Sequence, residues 1–344
     1  MAGHDRPIVS EPVVGIIANP SSGKDIRRLV ALGLSVSNND KVNIVRRVFA
    51  GVEAMGVGRV VYMPDTWGIG GRAAMFAPKG MSVEPLPMVC LQVPSDSEEA
   101  ARRMAAMGVS AIVTLGGDGT NRMVARGCQD IPLVPISTGT NNVFPAMVEG
   151  TLAGMAAGAV ASGAATDASR DPVAIRQVPV LRIAVGDATP DLALIDAVIS
   201  TQGWVGARAV WRAEDIDRIV LSRIVPAGIG MASFGPALFP ESIGLGNGAD
   251  IVLDRNAARR VRVPLAPGMM AEAGIAGARL LQPGATVELS GGPCTIAVDG
   301  EREIEILDPG ASIRITLDPN GPRVVEIEGA IGQAARAAAR VASA

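Results

Sequence analysis

The sequence holds one histidine, His4, and it lies near the start of the chain in MAGHDRPIVSEP, a stretch expected to fray as termini do. That excludes the mechanisms that turn on an imidazole, Ser-His-Asp and Cys-His catalysis among them. Cysteine is almost as scarce. Cys90, Cys128 and Cys294 lie far apart with no C-x-x-C spacing, which excludes a disulfide framework or a zinc site and leaves buried thiols. Aromatic residues make up 3% of the chain and the formal charge is -3, so both the stacking rings and the basic face of a nucleic-acid binder are missing. No apolar run is long enough to span a bilayer: Leu152 to Ala165, rich in Ala, Gly, Val and Met, reads as a buried helix. The first residues show neither a charged n-region nor an apolar h-region, so no secretory signal and no membrane association are expected, and the location is expected to be cytoplasmic.

What is present fits a globular protein, with 48% apolar and 19% charged residues, and a length of 344 that suggests two domains. The first part alternates strand-like and helix-like runs. Strands are predicted at Pro12 to Ala18, Arg59 to Pro64, Pro87 to Val93, Ala111 to Leu115 and Pro132 to Ser137. Helices are predicted from Asp25, after Asn38 to Asp40, after Ser95 and from Thr120. That order implies a doubly wound parallel sheet with ligands at the carboxyl ends of its strands. Beyond about residue 165 the texture becomes short alternating runs such as VLRIAVG, LALIDAVIS, ADIVLD, ATVELS, CTIAVDG, REIEIL, SIRITL and VVEIE, which predicts an antiparallel, sandwich-like β domain. The expected division is an α/β domain over 1–165, a β-rich domain over 166–328 and a terminal helix over 329–344.

Three polar turns fall at predicted strand ends. VTLGGDGTN places Asp118 among Gly116, Gly117, Gly119 and Thr120, between a buried strand and a helix start. Glycine lets the backbone approach a ligand, and free amides at a helix start favour anions, so an acid there calls for a chemical reason. NPSSGKD follows the first strand. It is no Walker A loop, because Gly15 and Gly23 are too far apart and Asp25 replaces the magnesium-holding Ser or Thr. It reads either as a polar turn capped by Asp25 or as a phosphate site built from Asn19, Ser21, Ser22, Gly23 and Lys24. PISTGTNNVFP gathers Ser137, Thr138, Gly139, Thr140, Asn141 and Asn142 after another strand, as a reader of a polar ligand or as a long helix cap. In CTIAVDGEREIEI, Asp299, Gly300 and Glu301 read first as a hairpin turn. TWGIGG and GLGNG read as turns, and the methionines as core.

Taken together, GGDGT, the earlier NPSSG and the later TGTNN resemble the superfamily of NAD kinases, diacylglycerol and sphingosine kinases and 6-phosphofructokinases. NPSSGKDIRRLV, VVYMPDTWGIGGRA and TLGGDGTNR are similar to the branch called acetoin catabolism protein X, grouped with ATP-NAD kinase-like proteins. The resemblance implies an N-terminal α/β domain and a C-terminal β-rich domain, with ATP and an acceptor meeting between them. It implies that Asp118 lies near the acceptor hydroxyl as a base or a positioning group, while the loop amides take phosphate and magnesium arrives with ATP. No metal ligand in the protein is assigned. By the same resemblance Asn121, Thr138, Gly139, Thr140, Asn141 and Asn142 contact the acceptor, and Asp299 and Glu301 are second-domain acids near metal or acceptor. A homo-oligomer, dimer or tetramer, is also implied.

Two departures bear on the acceptor. NAD kinases carry an acid after the first Asn of the later motif, where this chain has Asn142, and lipid kinases place Glu shortly after GGDGT, where it has Asn121 and Arg122. The leading expectation is an ATP- and magnesium-dependent kinase acting on a hydroxyl, the 2'-OH of NAD first. The alternatives are a lipid or other small-alcohol kinase, with an apolar pocket lined by Phe234, Leu238 and Phe239, and a nucleotide-binding accessory protein without turnover.

Overall fold

The computed structural model describes residues 11–23, 32–34, 36–165, 173–201 and 215–342, and the side chains of all of these except 301–303. His4, Lys24 and the helical stretch expected from Asp25 lie outside the described residues.

Strands β1 (Val13–Ala18), β2 (Arg59–Tyr62), β3 (Ser82–Pro85), β4 (Ala111–Gly116) and β5 (Leu133–Ser137) form a parallel sheet in the order β3-β2-β1-β4-β5. Every residue of β1, β4 and β5 is buried, as continuous apolar runs require in a sheet covered on both faces. One face packs against α1 (Asn38–Ala54), the short α2 (Ile69–Ala74) and α5 (Gly150–Ala161). The other packs against α3 (Ser95–Ala106) and α4 (Asp118–Gly127). The chain winds outward from β1 to β3, then returns to β1's other side as β4. The loops after β1 and β4 therefore share the switch point where open α/β sheets bind ligands.

Helix α1 starts at a capping box in which Ser37 and Asp40 satisfy each other's backbone amides. Two expectations in this part are corrected. PMVCLQV is not a strand: Gln92 takes a positive φ of 62°, and the Asp96 carboxylate accepts from the Leu91 and Val93 amides, so those groups leave the ladder. The edge strand is Ser82–Pro85 instead, paired with β2. TWGIGG is not only a turn, because Asp65 accepts from the Trp67 and Ile69 amides and so opens α2.

The β part forms a seven-stranded sheet and a four-stranded sheet, with antiparallel pairing throughout. The first includes β9 (Asp196–Ser200), β10 (Arg218–Leu221), β11 (Gly248–Leu253), β12 (Arg260–Ala266), β13 (Met269–Leu281), β15 (Cys294–Val298) and β16 (Glu301–Ile306). The second is β14 (Thr286–Ser290), β17 (Ser312–Asp318), β7 (Val180–Val185) and β8 (Asp191–Ala193). Alternating side chains of the two sheets meet in one core, Leu181, Ile199, Val220, Ile296 and Ile315 among them, as in a sandwich. The other face of the larger sheet is covered by α6 (Phe234–Leu238).

Two short strands return to the first sheet. β18 (Arg323–Val325) pairs parallel with β5, and β6 (Ile175–Gln177) pairs antiparallel with β18. The final helix, α7 (Ile327–Ala342), packs on the same face as α5. Among the described residues, no helix is long and apolar enough to cross a membrane.

Candidate active site

Strand register brings three of the polar motifs side by side. Ala18 pairs with Leu115 and Gly116 with Ser137, so the loops after β1, β4 and β5 leave adjacent strand ends. Side chains then tie them together. Asn19 Nδ2 donates to Thr120 Oγ1 at 2.9 Å, and Asn19 Oδ1 accepts the Ser21 amide at 2.8 Å. Ser22 Oγ donates to the Asn19 carbonyl at 2.8 Å, and Thr138 Oγ1 donates to Ser22 Oγ at 3.0 Å. The Asn142 amide group donates to Ser137 Oγ at 2.8 Å and to the Gly139 carbonyl at 3.3 Å.

Asp118 opens α4, and its carboxylate is oriented by the third loop: it accepts the Val143 amide at 3.1 Å and the Phe144 amide at 2.8 Å. Asn142 Oδ1 accepts the Asp118 amide at 3.4 Å. Gly116 is required sterically, and Gly117 lies in close approach to Asn142. A Cβ on Gly116 would stand 2.5 Å from Thr120, and one on Gly117 2.8 Å from Asn142 Oδ1. The GGDGT turn therefore closes onto its own threonine and onto the TGTNN loop.

Thr140 Oγ1 accepts the Leu34 amide at 3.1 Å, so it is engaged by the segment that follows the NPSSG loop. Asn121 stands apart from the expected acceptor contacts. It is fully buried, takes a hydrogen bond from Thr114 Oγ1 at 2.6 Å and donates to the Gly117 carbonyl at 2.8 Å, so it braces the turn from behind. Arg122 is likewise no open neighbour of an acceptor. Its side chain is 2% exposed, with Nη1 3.4 Å from Asp191 Oδ2 and Nε 3.8 Å from Asp299 Oδ2.

Asp299 and Gly300 occupy the two-residue turn between β15 and β16, with φ of 49° and 81°, the positive pair that a type I′ hairpin requires. The same turn carries an acid into the site. Asp299 accepts the Ile195 amide at 2.7 Å and the Leu194 amide at 3.0 Å, and the residue lines the cleft together with Asp118. Burial pushes the Asp299 pKa up to about 7, with the charge of Asp118 adding to the rise; the amides and Arg122 pull it back. Glu301 pairs with Val298 through β16, and its side chain lies outside the described ones.

The cleft between the α/β part and the sandwich is lined by the polar residues Asp118, Asn141, Asp196 and Asp299 and by the apolar residues Val143, Met231, Leu265 and Met269. Asn141, which lines the cleft, has its Oδ1 buried with no hydrogen-bond partner among the described residues. Phe234 and Leu238, expected to line an apolar acceptor pocket, instead belong to the core beneath the larger sheet, with Phe239 packed against them.

Two basic residues were missed by the sequence reading. Lys41 is fully buried beneath the NPSSG loop. Arg223 stands over the Phe144 ring at 5.5 Å and donates to the Leu194 carbonyl at 3.4 Å. Burial and then Arg176 lower the Arg223 pKa to about 10, against the pull of Asp118 and Asp299, which leaves it charged at neutral pH. Burial raises the Cys90 thiol to about 11 and Cys128 to about 12 and pushes Cys294 up, which disfavours the thiolate in each.

Residues 14–164 match the family model of the ATP-NAD kinase N-terminal domain, and residues 179–320 that of the acetoin catabolism protein X C-terminal domain. The chain is 35% identical over 336 residues to acetoin catabolism protein X of Cupriavidus necator, covering 94% of this chain and 93% of the relative. Two solved structures described as a putative diacylglycerol kinase from Bacillus anthracis str. Sterne align at 14% identity over 92% of this chain. They are covered over 98% and 97% of their own lengths, with TM-scores of 0.39 and 0.43. With both of its parts matched and a full-length relative at this identity, the chain belongs to the acetoin catabolism protein X family, with an ATP-NAD kinase N-terminal domain.

Proposed function

We propose that the protein transfers the terminal phosphoryl group of ATP to a hydroxyl, the 2'-hydroxyl of NAD being the leading acceptor. The observation that supports this most is the placing of Asp118: an amide-oriented carboxylate at a helix start, flanked by the NPSSG and TGTNN loops and facing a cleft. Phosphoryl transfer asks a protein mainly for positioning and for charge neutralisation. In this reading the phosphates are taken by the NPSSG loop and by the helix-start amides of Gly119 and Thr120. As the bond from the acceptor oxygen to phosphorus forms and the bond to the β-phosphate oxygen breaks, the hydroxyl proton passes to Asp118.

Magnesium prefers hard oxygen ligands, and the acids that line the cleft, Asp118, Asp196 and Asp299, are of that type. In this reading the ion arrives with the nucleotide, where it offsets phosphate charge.

The test is incubation with magnesium, ATP and NAD, with mass spectrometry for NADP, beside Asp118→Asn. Asn keeps one oxygen for the Phe144 amide, so the variant should fold and melt close to wild type while turnover drops by about a hundredfold or more. Equal turnover in the two proteins would remove Asp118 from the chemistry. NAD binding without product would favour an accessory nucleotide binder. Product from a small alcohol with none from NAD would favour the other acceptor class, for which the apolar residues in the cleft lining speak.

A further inference from the structure

Among the described residues Lys41 is, after Arg122, the largest that is fully buried. Its position is unfavourable on two counts. It lies in the first turn of α1, where a cation opposes the helix dipole, and a buried ammonium is costly without hydrogen bonds. The NPSSG loop supplies them. Nζ donates to the Asn19 carbonyl at 2.8 Å, to the Ser22 carbonyl at 2.9 Å and to Asn38 Oδ1 at 3.2 Å.

These contacts set the direction of the loop's backbone. In a trans peptide each carbonyl points opposite to the next N–H. Drawing the Ser22 carbonyl onto Lys41 fixes the orientation of the peptide that leads into Gly23, which takes the positive φ of 77° on this path. The link from Asn19 to Thr120 locks the same loop against the GGDGT turn.

We propose that Lys41 is a positioning residue for nucleotide phosphate. It fixes the NPSSG loop through its carbonyls and places a positive charge beneath the loop, so that the polyphosphate is bound without being touched by Lys41 itself. The inference rests on the phosphotransferase reading above and deepens it.

The test is titration of the full-length protein with ATP and with adenosine, for wild type, Lys41→Met, Lys41→Gln and Asn38→Ala. Lys41→Met should weaken ATP by about tenfold or more, the low end of what losing hydrogen bonds to a charged group brings. Lys41→Gln, which keeps donors without charge, should also weaken it, and Asn38→Ala should do so by a few fold. Adenosine affinity should hold in all of them. A folded Lys41→Met protein that binds ATP like wild type overturns the inference. So does an equal loss for ATP and adenosine, since a merely structural role would move both. Should neither Lys41 variant fold, Asn38→Ala decides, because that half-exposed helix start can be changed without disturbing the core; unchanged ATP affinity there overturns the inference. A wild-type protein that binds no ATP removes the phosphotransferase reading itself, and the inference with it.

Discussion

Asp299 turns the β15–β16 hairpin and, at the same position, lines the cleft. Its pKa of about 7 stands well above the ordinary 3.8, so the folded state holds this proton more tightly than the unfolded chain. The native form then binds more protons between the two values, and stability contributed at low pH is lost as pH rises from about 4 through about 7. Asp299→Asn removes that slope. The melting temperature of wild type should fall relative to the variant between pH 5 and pH 7.5, values chosen to lie about this range; parallel curves would contradict the assigned shift. The hairpin was legible from Asp-Gly between alternating strands, and the acid's approach to the site was legible only through family resemblance. Lys41 was legible in principle. Lys41, Val45, Val48 and Val52 share one helix face by spacing, and all four are buried, so the periodicity put the lysine on the core side of α1.

At the scale of elements, α1 lies close against α5, and glycine makes the approach possible. A Cβ on Gly154 would stand 2.2 Å from the Val48 carbonyl, and one on Gly51 2.1 Å from the Thr151 carbonyl, so the two helices touch backbone to backbone. Gly154→Ala should gain about 1 kcal/mol of helix propensity. It should lose about 1–3 kcal/mol to overpacking, because the clashing atom is a main-chain oxygen with nowhere to go. A lower melting temperature is expected, and a higher one would show that the helices can separate freely. The buried helix itself was readable from its apolar composition, as were the strands that form the sheet's centre. PMVCLQV was misread because an apolar run at the sheet edge says nothing of a distant carboxylate, and Asp96 captures its amides.

At the scale of the whole molecule, the α/β part and the sandwich are joined beside the cleft by Arg122, one turn along α4 from Asp118. Its guanidinium lies between Asp191 at 3.4 Å and Asp299 at 3.8 Å, with side-chain exposures of 2% for Arg122 and 0% for Asp299. The arginine therefore fixes how the helix bearing one acid stands against the hairpin bearing the other. Arg122→Met would leave Asp299 buried near Asp118 without this compensation, and removing one partner of a buried pair costs about 3–5 kcal/mol. The low end is expected, since 3.8 Å is a Coulombic contact rather than a hydrogen bond. By contrast Arg126→Ala, which breaks exposed pairs with Asp191 and Glu98, should cost about 1 kcal/mol or less. Denaturant unfolding of Arg122→Met, Asp299→Asn and the double variant separates the alternatives. If the arginine acts by offsetting this acid, the double variant should recover much of the single loss. Simple additivity would mean that Arg122 holds the two parts together through Asp191 and the Leu192 carbonyl alone, leaving the pairing of the two acids to the hairpin and the loop amides.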